Sequence, residues 1–569
     1  MRGSRVAVAC AIAVLLLVNI VPSASASNGD TVPQPAGTKR FVFEDMSAGY
    51  SNFSHITGST YKNGPVTDFS CNSPDDPTCT GLPNLMLNLI VPPCTSTSLP
   101  TDMCVKGLEI ANAAGILEPA IFDHEVGTQK IAASAKAKTP AGGGISVWKL
   151  PTNSSASDSS VMGVAISLAF DIGKDNFAVL KDFHARLISA DLKEGNYRLP
   201  EKLSVEYQPS VKRSELRGGY PITGCEWTEA GLCALKQEFA EGQRFALTMQ
   251  MDNRLTGWLF GRMKDTSVIL QALSPTTNLL RVEGGAINVG AGQADISSAD
   301  AQSDSKVEQL LTNICKGAGL KGWPESTYCA SVVEQGDSFL FKSPQGDYVT
   351  KGLPEGGVVP IIQRFLTSAP EQNSQWEIKG LPGAGSGCLN DPAKLMGLVT
   401  TNSMIYSAGP PSFVDDSLVY QVAGAHLGFD GALFKGTYDL AMRSETVRCL
   451  YRGFTTAPIK ATVSVTASDG STQNVATEVV NEKDGWLTLS AKNFTFSSPT
   501  IRIKLTQDNA VASVVKPAPV ATSTPPAVAV PKTAPKAPVN RVITCVKGKT
   551  IKKVTGASPM CPAGYKKKV

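Results

Sequence analysis

The sequence predicts a mainly β protein: two β-sandwich-like regions joined by a short helical element, then a Pro-rich linker and a small basic module closed by a disulfide. Three observations carry this expectation. Gly, Pro, Ser and Thr interrupt the chain every ten residues or so, with 51 Gly and 37 Pro among 569 residues, which leaves little room for long helices. Between those turns lie short segments in which apolar residues alternate or run continuously, the pattern of strands. Hydrophobic residues make up 42% of the chain and charged residues 18%, enough apolar material for real cores. The length suits two to four domains.

The first element is an expected secretory signal peptide over residues 1–26. Arg2 and Arg5 precede an uncharged apolar run from Val6 to Val21, and Ala24-Ser25-Ala26 supplies small residues for cleavage after Ala26. The run is shorter than the roughly 20 residues a bilayer-spanning helix needs. Residues 27–40 read as a loose leader, and the mature protein is expected to be soluble and secreted, either extracellular or associated with the cell wall.

An N-terminal β-rich region, one domain or two, is expected over 41–295. Its strand candidates are Asn84–Val91, Ser160–Phe170, Phe183–Leu192 and Arg244–Met251, whereas Gly107–Leu117 reads as a short helix. A helical connecting element is expected over 296–370. There Ser303-Asp304 cap a segment with Val307, Leu310, Leu311 and Ile314 at helical spacing, ended by Gly317. A C-terminal β-sandwich is expected over 371–508, with strands near Val419–Val422, Thr437–Met442, Lys460–Thr466, Gly485–Leu489 and Ile501–Leu505.

Beyond it, residues 509–540 hold seven prolines, three lysines and no acid, the composition of a semi-rigid linker. Residues 541–569 form the basic module, with eight Lys or Arg and no acid. Charge is therefore split: residues 27–508 carry 40 basic and 49 acidic groups, a net of −9, while the tail is purely basic. Such asymmetry points to a separate partner for the tail.

Cysteine usage fits an oxidising compartment. Cys10 lies in the apolar leader, and the other twelve fall as sequential couples: Cys71 with Cys79, Cys94 with Cys104, Cys225 with Cys233, Cys315 with Cys329, Cys388 with Cys449 and Cys545 with Cys561. Six disulfides in that order is the simplest scheme. Metal binding is the rival reading, but there is no CxxC pair and the four histidines, His55, His124, His184 and His426, have no second ligand at the right spacing. No metal or other cofactor is expected.

Catalytic signatures are equally sparse. HExxH and GxSxG are absent, and the SxxK tetrads Ser59–Lys62 and Ser303–Lys306 lack the partner motifs of penicillin-binding enzymes. Asp75-Asp76 and Asp415-Asp416 read as turns rather than as a glycosidase pair. No catalytic residue is proposed from the sequence, and the chain leans away from being an enzyme. One local group suits a ligand face: Trp227, Arg244, Trp258 and Arg262, close to Cys225 and Cys233, whose rings stack and whose guanidinium groups hydrogen-bond. The preferred alternative is that the two indoles pack a β-core beside the bridge.

The stretch Val419-Tyr-Gln-Val-Ala-Gly424 with His426, then Gly436-Thr-Tyr-Asp-Leu440, Arg448-Cys-Leu-Tyr451, Asp484-Gly-Trp-Leu487 and Phe494-Thr-Phe-Ser-Ser-Pro-Thr500, resembles a β-rich C-terminal region of uncharacterised secreted proteins of Actinobacteria. The ending Ile543-Thr-Cys-Val-Lys-Gly-Lys549, Val554-Thr and Cys561-Pro-Ala-Gly-Tyr-Lys566 resembles the Lys-rich, two-cysteine module that closes many of them. The resemblance covers about 160 residues and none of 41–370. It implies an actinobacterial, exported, cell-surface protein and brings no catalytic residues.

The resulting expectation is a non-enzymatic binding or structural protein, displayed on the linker and retained at the envelope by the tail. Lys547, Lys549, Lys552, Lys553, Lys566, Lys567 and Lys568 are the candidate contacts to anionic envelope polymers or the membrane surface. Nucleic acid is a weaker partner, because Tyr565 is the module's only aromatic. The alternatives are a secreted hydrolase of envelope polysaccharide or peptide, with carboxylates spread over 41–370, and an extracellular ligand-binding protein with a closed apolar pocket.

Overall fold

A computed structural model describes residues 34–43, 54–59, 69–77, 79, 84–127, 130–150, 160–173, 177–194, 225–240, 242–308, 332–335, 338–341, 363–383, 385–428, 431–455, 457–466, 472–475, 477–496, 500–507, 541–547, 550–556, 561 and 565–567. The protein is mainly β. Two compact units divide the chain, Met1–Asn509 and Ala510–Val569.

The largest sheet of the first unit has fifteen strands among the described residues. Numbered in chain order they are β1 (His55–Ser59), β2 (Phe69–Cys71), β3 (Asn84–Ile90), β4 (Ile121–Val126), β5 (Ile145–Lys149), β6 (Ser160–Ile172), β7 (Ala178–Glu194), β8 (Cys225–Glu229), β9 (Leu232–Lys236), β10 (Gly257–Arg262), β11 (Glu377–Leu381), β12 (Leu395–Thr401), β13 (Lys435–Arg443), β14 (Thr477–Lys483) and β15 (Trp486–Thr495). The main path runs β14-β15-β13-β12-β10-β11-β7-β6-β3-β1-β2. β6 is buried along almost its whole length and β7 continuously over its middle, Phe183–Ile188, as stretches covered on both faces must be.

Their length lets each serve two neighbourhoods. The later half of β6 pairs with β3 while its first half pairs with β5. Likewise β7 pairs with β11 near its middle and with β9 at its end. A second run therefore branches off, β4-β5-β6-β7-β9-β8. This run curls, so that its two edge strands, β4 and β8, lie side by side.

The strands expected in two separate regions are hydrogen-bonded into this one sheet. β10 lies between β11 and β12, antiparallel to the first and parallel to the second. The strand after the expected leader starts earlier than residue 41, at Thr38. Thr38–Phe43 joins a five-stranded sheet with Val332–Gln335, Ser338–Phe341, Ile287–Ser297 and Leu366–Gln375. Arg40 ties it down through a bidentate pair with Asp295, both contacts at 2.7 Å.

The expected helical element over 296–370 therefore contributes strands as well as helix. A capping box of Ser297 and Asp300 starts the helix Ser298–Ser303. A second helical turn begins at 305, where Asp304 caps it by accepting the Lys306 amide at 2.9 Å. The rest of that expected helix lies outside the described residues. Gly107–Leu117 is not helical. Cys104–Ala111 and Leu117–Pro119 are strands, because Leu108 and Ile110 are buried on one face while Glu109 lies on the other, a period of two.

Among the described residues, apolar side chains gather in three clusters. The largest lies on the face of the main sheet carrying Phe183, Ala185, Ile378, Leu259 and Leu398. The second lies on the opposite face of β10, β12, β13 and β15, with side chains from Ser417–Ala423, Ile459–Thr466 and Thr500–Gln507. The third is the interior of the curled run.

Three expected disulfides are present among the described residues. Cys71–Cys79, Cys94–Cys104 and Cys388–Cys449 have Cα atoms 6.3, 4.9 and 5.6 Å apart, within the usual span. Cys233 and Cys561 are also disulfide-bonded. The six-bridge scheme is thus not seen in full. Cys315 and Cys329, expected to pair with each other, both lie outside the described residues. The signal peptide expected over 1–26 and the linker expected over 509–540 lie outside them too. In the second unit, Arg541–Lys547 is the middle strand of three, between Thr550–Gly556 and Lys566–Lys567.

Candidate functional site

The curled run is filled by one indole. Trp227 of β8, 6% exposed, packs among Val126, Ile145, Val147, Val161, Ala165, Ile188, Ala190 and Ala234, drawn from the other five strands. The sequence makes room for it with small residues. A Cβ on Gly163 of β6 would lie 2.8 Å from the Trp227 ring.

At the rim, β4 and β8 share no backbone ladder. They are bridged instead by side chains. His124 of β4 contacts Glu229 of β8 through Nε2 and Asp123 through Nδ1, the latter at 2.9 Å. Lys149 of β5 pairs with Asp123 at 2.7 Å, and Trp227 Nε1 donates to Glu229 at 3.4 Å. The His124 side chain is 39% exposed. Partial burial alone lowers its pKa, but the hydrogen bonds and charges of Glu229 and Asp123 outweigh that, and the net effect is a rise above 6.5. This cluster can take up and release a proton at a solvent-facing ring.

A second polar group is fully buried where β7, β11 and β10 meet. Register sets Arg186 opposite Glu377 and Glu377 opposite Arg262, and sets His184 opposite Lys379. Glu377 accepts from His184 at 2.8 Å and pairs with Lys379 at 2.9 Å, while Arg186 reaches Glu226 at 3.0 Å. Burial opposes ionisation of Glu377, yet Lys379 and His184 hold its pKa well below the usual carboxylate range. Burial pushes the His184 pKa below its ordinary value, against the pull of Glu377. Arg262 donates to the carbonyls of Thr401 and Ser403 at 3.0 and 2.5 Å and stacks over Tyr406. The arrangement locks strand register and loop 401–404, and its groups face protein rather than solvent.

A third buried group lies on the other face of β13. Asp439, 2% exposed, is opposite Thr400 of β12 and Ser490 of β15. Nearby, Lys492 pairs at 2.8 Å with Asp265, whose φ of +55° marks a register shift in its strand. Burial pushes the Asp439 carboxyl up to about 7, against the smaller pull of Ser490 and Lys492.

The four residues expected to share a ligand face are dispersed. Trp227 plugs the curled run. Trp258, fully buried, belongs to the second core and donates to the Leu389 carbonyl at 2.8 Å. Arg262 is in the buried row, and Arg244 pairs with Glu283 on another sheet. Sequence reasoning missed Asp123, Glu229, Glu377, Lys379 and Asp439, because their neighbours come from distant strands. The one available signal was a charged residue inside an otherwise apolar run, such as His184 and Arg186 in β7.

In the basic module, register sets Lys552 and Lys567 on either side of Cys545, and Ile551 and Lys566 on either side of Val546. Lys547 and Lys553 are strand positions of the same ladder, and Lys549 and Lys568 lie outside the described residues. Among the described residues, no group of three or more His, Cys, Asp or Glu is placed to hold a metal ion, and no helix is long and apolar enough to cross a membrane. Compared with known proteins, the chain matches no family model, no curated protein and no solved structure.

Proposed function

We propose that this is an exported cell-surface protein with a binding or structural role rather than a catalytic one. Its β-rich body, laid out as sandwich-like regions, is displayed on the 509–540 linker and retained at the envelope by the basic module. The observation that carries the reading is the ladder of the module. Lys552 and Lys553 on one neighbouring strand and Lys566 and Lys567 on the other flank the central strand, whose end is Lys547, and they belong to a segment of 29 residues with eight Lys or Arg and no acid. The partner is an anionic polymer of the envelope or the membrane surface. Attraction of this kind is screened as the Debye length falls from about 10 Å at 0.1 M salt to about 3 Å at 1 M.

The test is a wash of whole cells carrying the full chain, with rising salt. Release is expected between these salt concentrations. A variant with Lys547, Lys549, Lys552, Lys553, Lys566, Lys567 and Lys568 changed to Gln is expected to wash off at low salt. Equal retention of both forms, or retention of the parent at 1 M salt, would overturn the electrostatic anchor.

A further inference from the structure

We propose that the seam between β4 and β8 is a proton-operated closure of the curled run, with His124 as its bolt. The run has two edges that face each other without a ladder. Side-chain contacts hold them together, above all His124 to Glu229, two residues 105 apart in sequence. What lies behind the seam is apolar, the Trp227 plug and its neighbours.

The charged groups facing His124 are Asp123 on its own strand and Glu229 on β8, with Lys149 of β5 beyond Asp123. Both ring nitrogens are directed at carboxylates, so the doubly protonated ring donates on both sides. The neutral ring has one N–H and must leave one carboxylate facing a nitrogen lone pair. The Trp227 indole N–H is directed at the same Glu229 carboxylate, so the plug and the bolt share an anchor. Because the His124 pKa is raised in the closed state, this source of stability is fully present below the ordinary value of 6.5 and is lost as pH rises through the higher folded value.

Hydrogen exchange of the full-length protein tests this. Rates are corrected for intrinsic pH dependence and followed in Ile121–Val126 and Cys225–Glu229, with Ser160–Ile172 as the internal reference. Between about pH 6 and pH 9, exchange in the two edge strands is expected to rise about tenfold relative to the reference. In His124→Gln it should be fast and flat across that range. Glu229→Gln, which keeps a hydrogen-bonding side chain, should move the midpoint to lower pH. An unchanged pH dependence in both variants overturns the proposal, as does an edge that stays protected at pH 9 in the parent. If His124→Gln does not fold, the Glu229→Gln midpoint alone decides: a downward shift supports the bolt and no shift refutes it.

Discussion

A glycine and an aspartate show how much a single position carries here. Gly163 has no special backbone angle; it is small because the Trp227 ring occupies the space above it. Gly163→Ala would set a methyl 2.8 Å from that ring, and overpacking of this kind costs about 1–3 kcal/mol. Adding Trp227→Phe should recover part of the loss. A denaturation midpoint unchanged by Gly163→Ala would show that the indole is not held there. Asp439 makes a prediction in pH. Its carboxyl ordinarily titrates at 3.8 and is raised to about 7 by burial. The native state therefore holds a proton that the unfolded chain gives up, and the associated stability, full below 3.8, declines until pH passes about 7. Relative to the parent, Asp439→Asn should gain stability as pH rises from about 4 to 7, read from urea midpoints. A constant difference across that range would refute the assignment.

At the scale of elements, the strands are the most legible part. Alternation and apolar runs locate Asn84–Ile90, Ser160–Ile172, Ala178–Glu194, Arg244–Asp252 and Lys435–Arg443 to within a few residues at most ends. Gly107–Leu117 misleads because it spans a strand end, a turn at Asn112–Gly115 and the next strand, and the mixture mimics helical spacing. The polar groups are illegible for a different reason. Glu377 gains its meaning only from Arg186, His184 and Arg262, on strands that pair over long separations. The Cys388–Cys449 bridge joins the short turn Gly387–Leu389 to the helix Ser444–Leu450 across 61 residues. The chain-entropy estimate gives about 4 kcal/mol for a loop of that size and about 2.5–3 for the short ones. Replacing both cysteines by Ala should therefore cost more than removing Cys71–Cys79 or Cys94–Cys104, and equal losses in denaturant titrations would refute the loop-length argument.

Across the whole molecule, composition foretells the β class, but the boundary near residue 370 does not separate the sheet. β10 fills the place between β11 and β12, a pairing that no periodicity within either region encodes. Residues 371–508 expressed alone would leave β11 and β12 without the strand that joins them. That fragment is expected to be unfolded or aggregated by circular dichroism, and to become structured when 34–308 is supplied. A cooperative melt of the fragment by itself would show that it is an independent domain. The same insertion bears on how the protein is made. Arg262 of β10 meets Glu377 of β11 only after 115 further residues have been added. During synthesis, which proceeds from the N-terminus, β10 waits with both edges bare, and such edges invite wrong partners. Non-local pairing of this kind is slow to form, so the vulnerable moment in the life of this chain is the interval before its last third arrives.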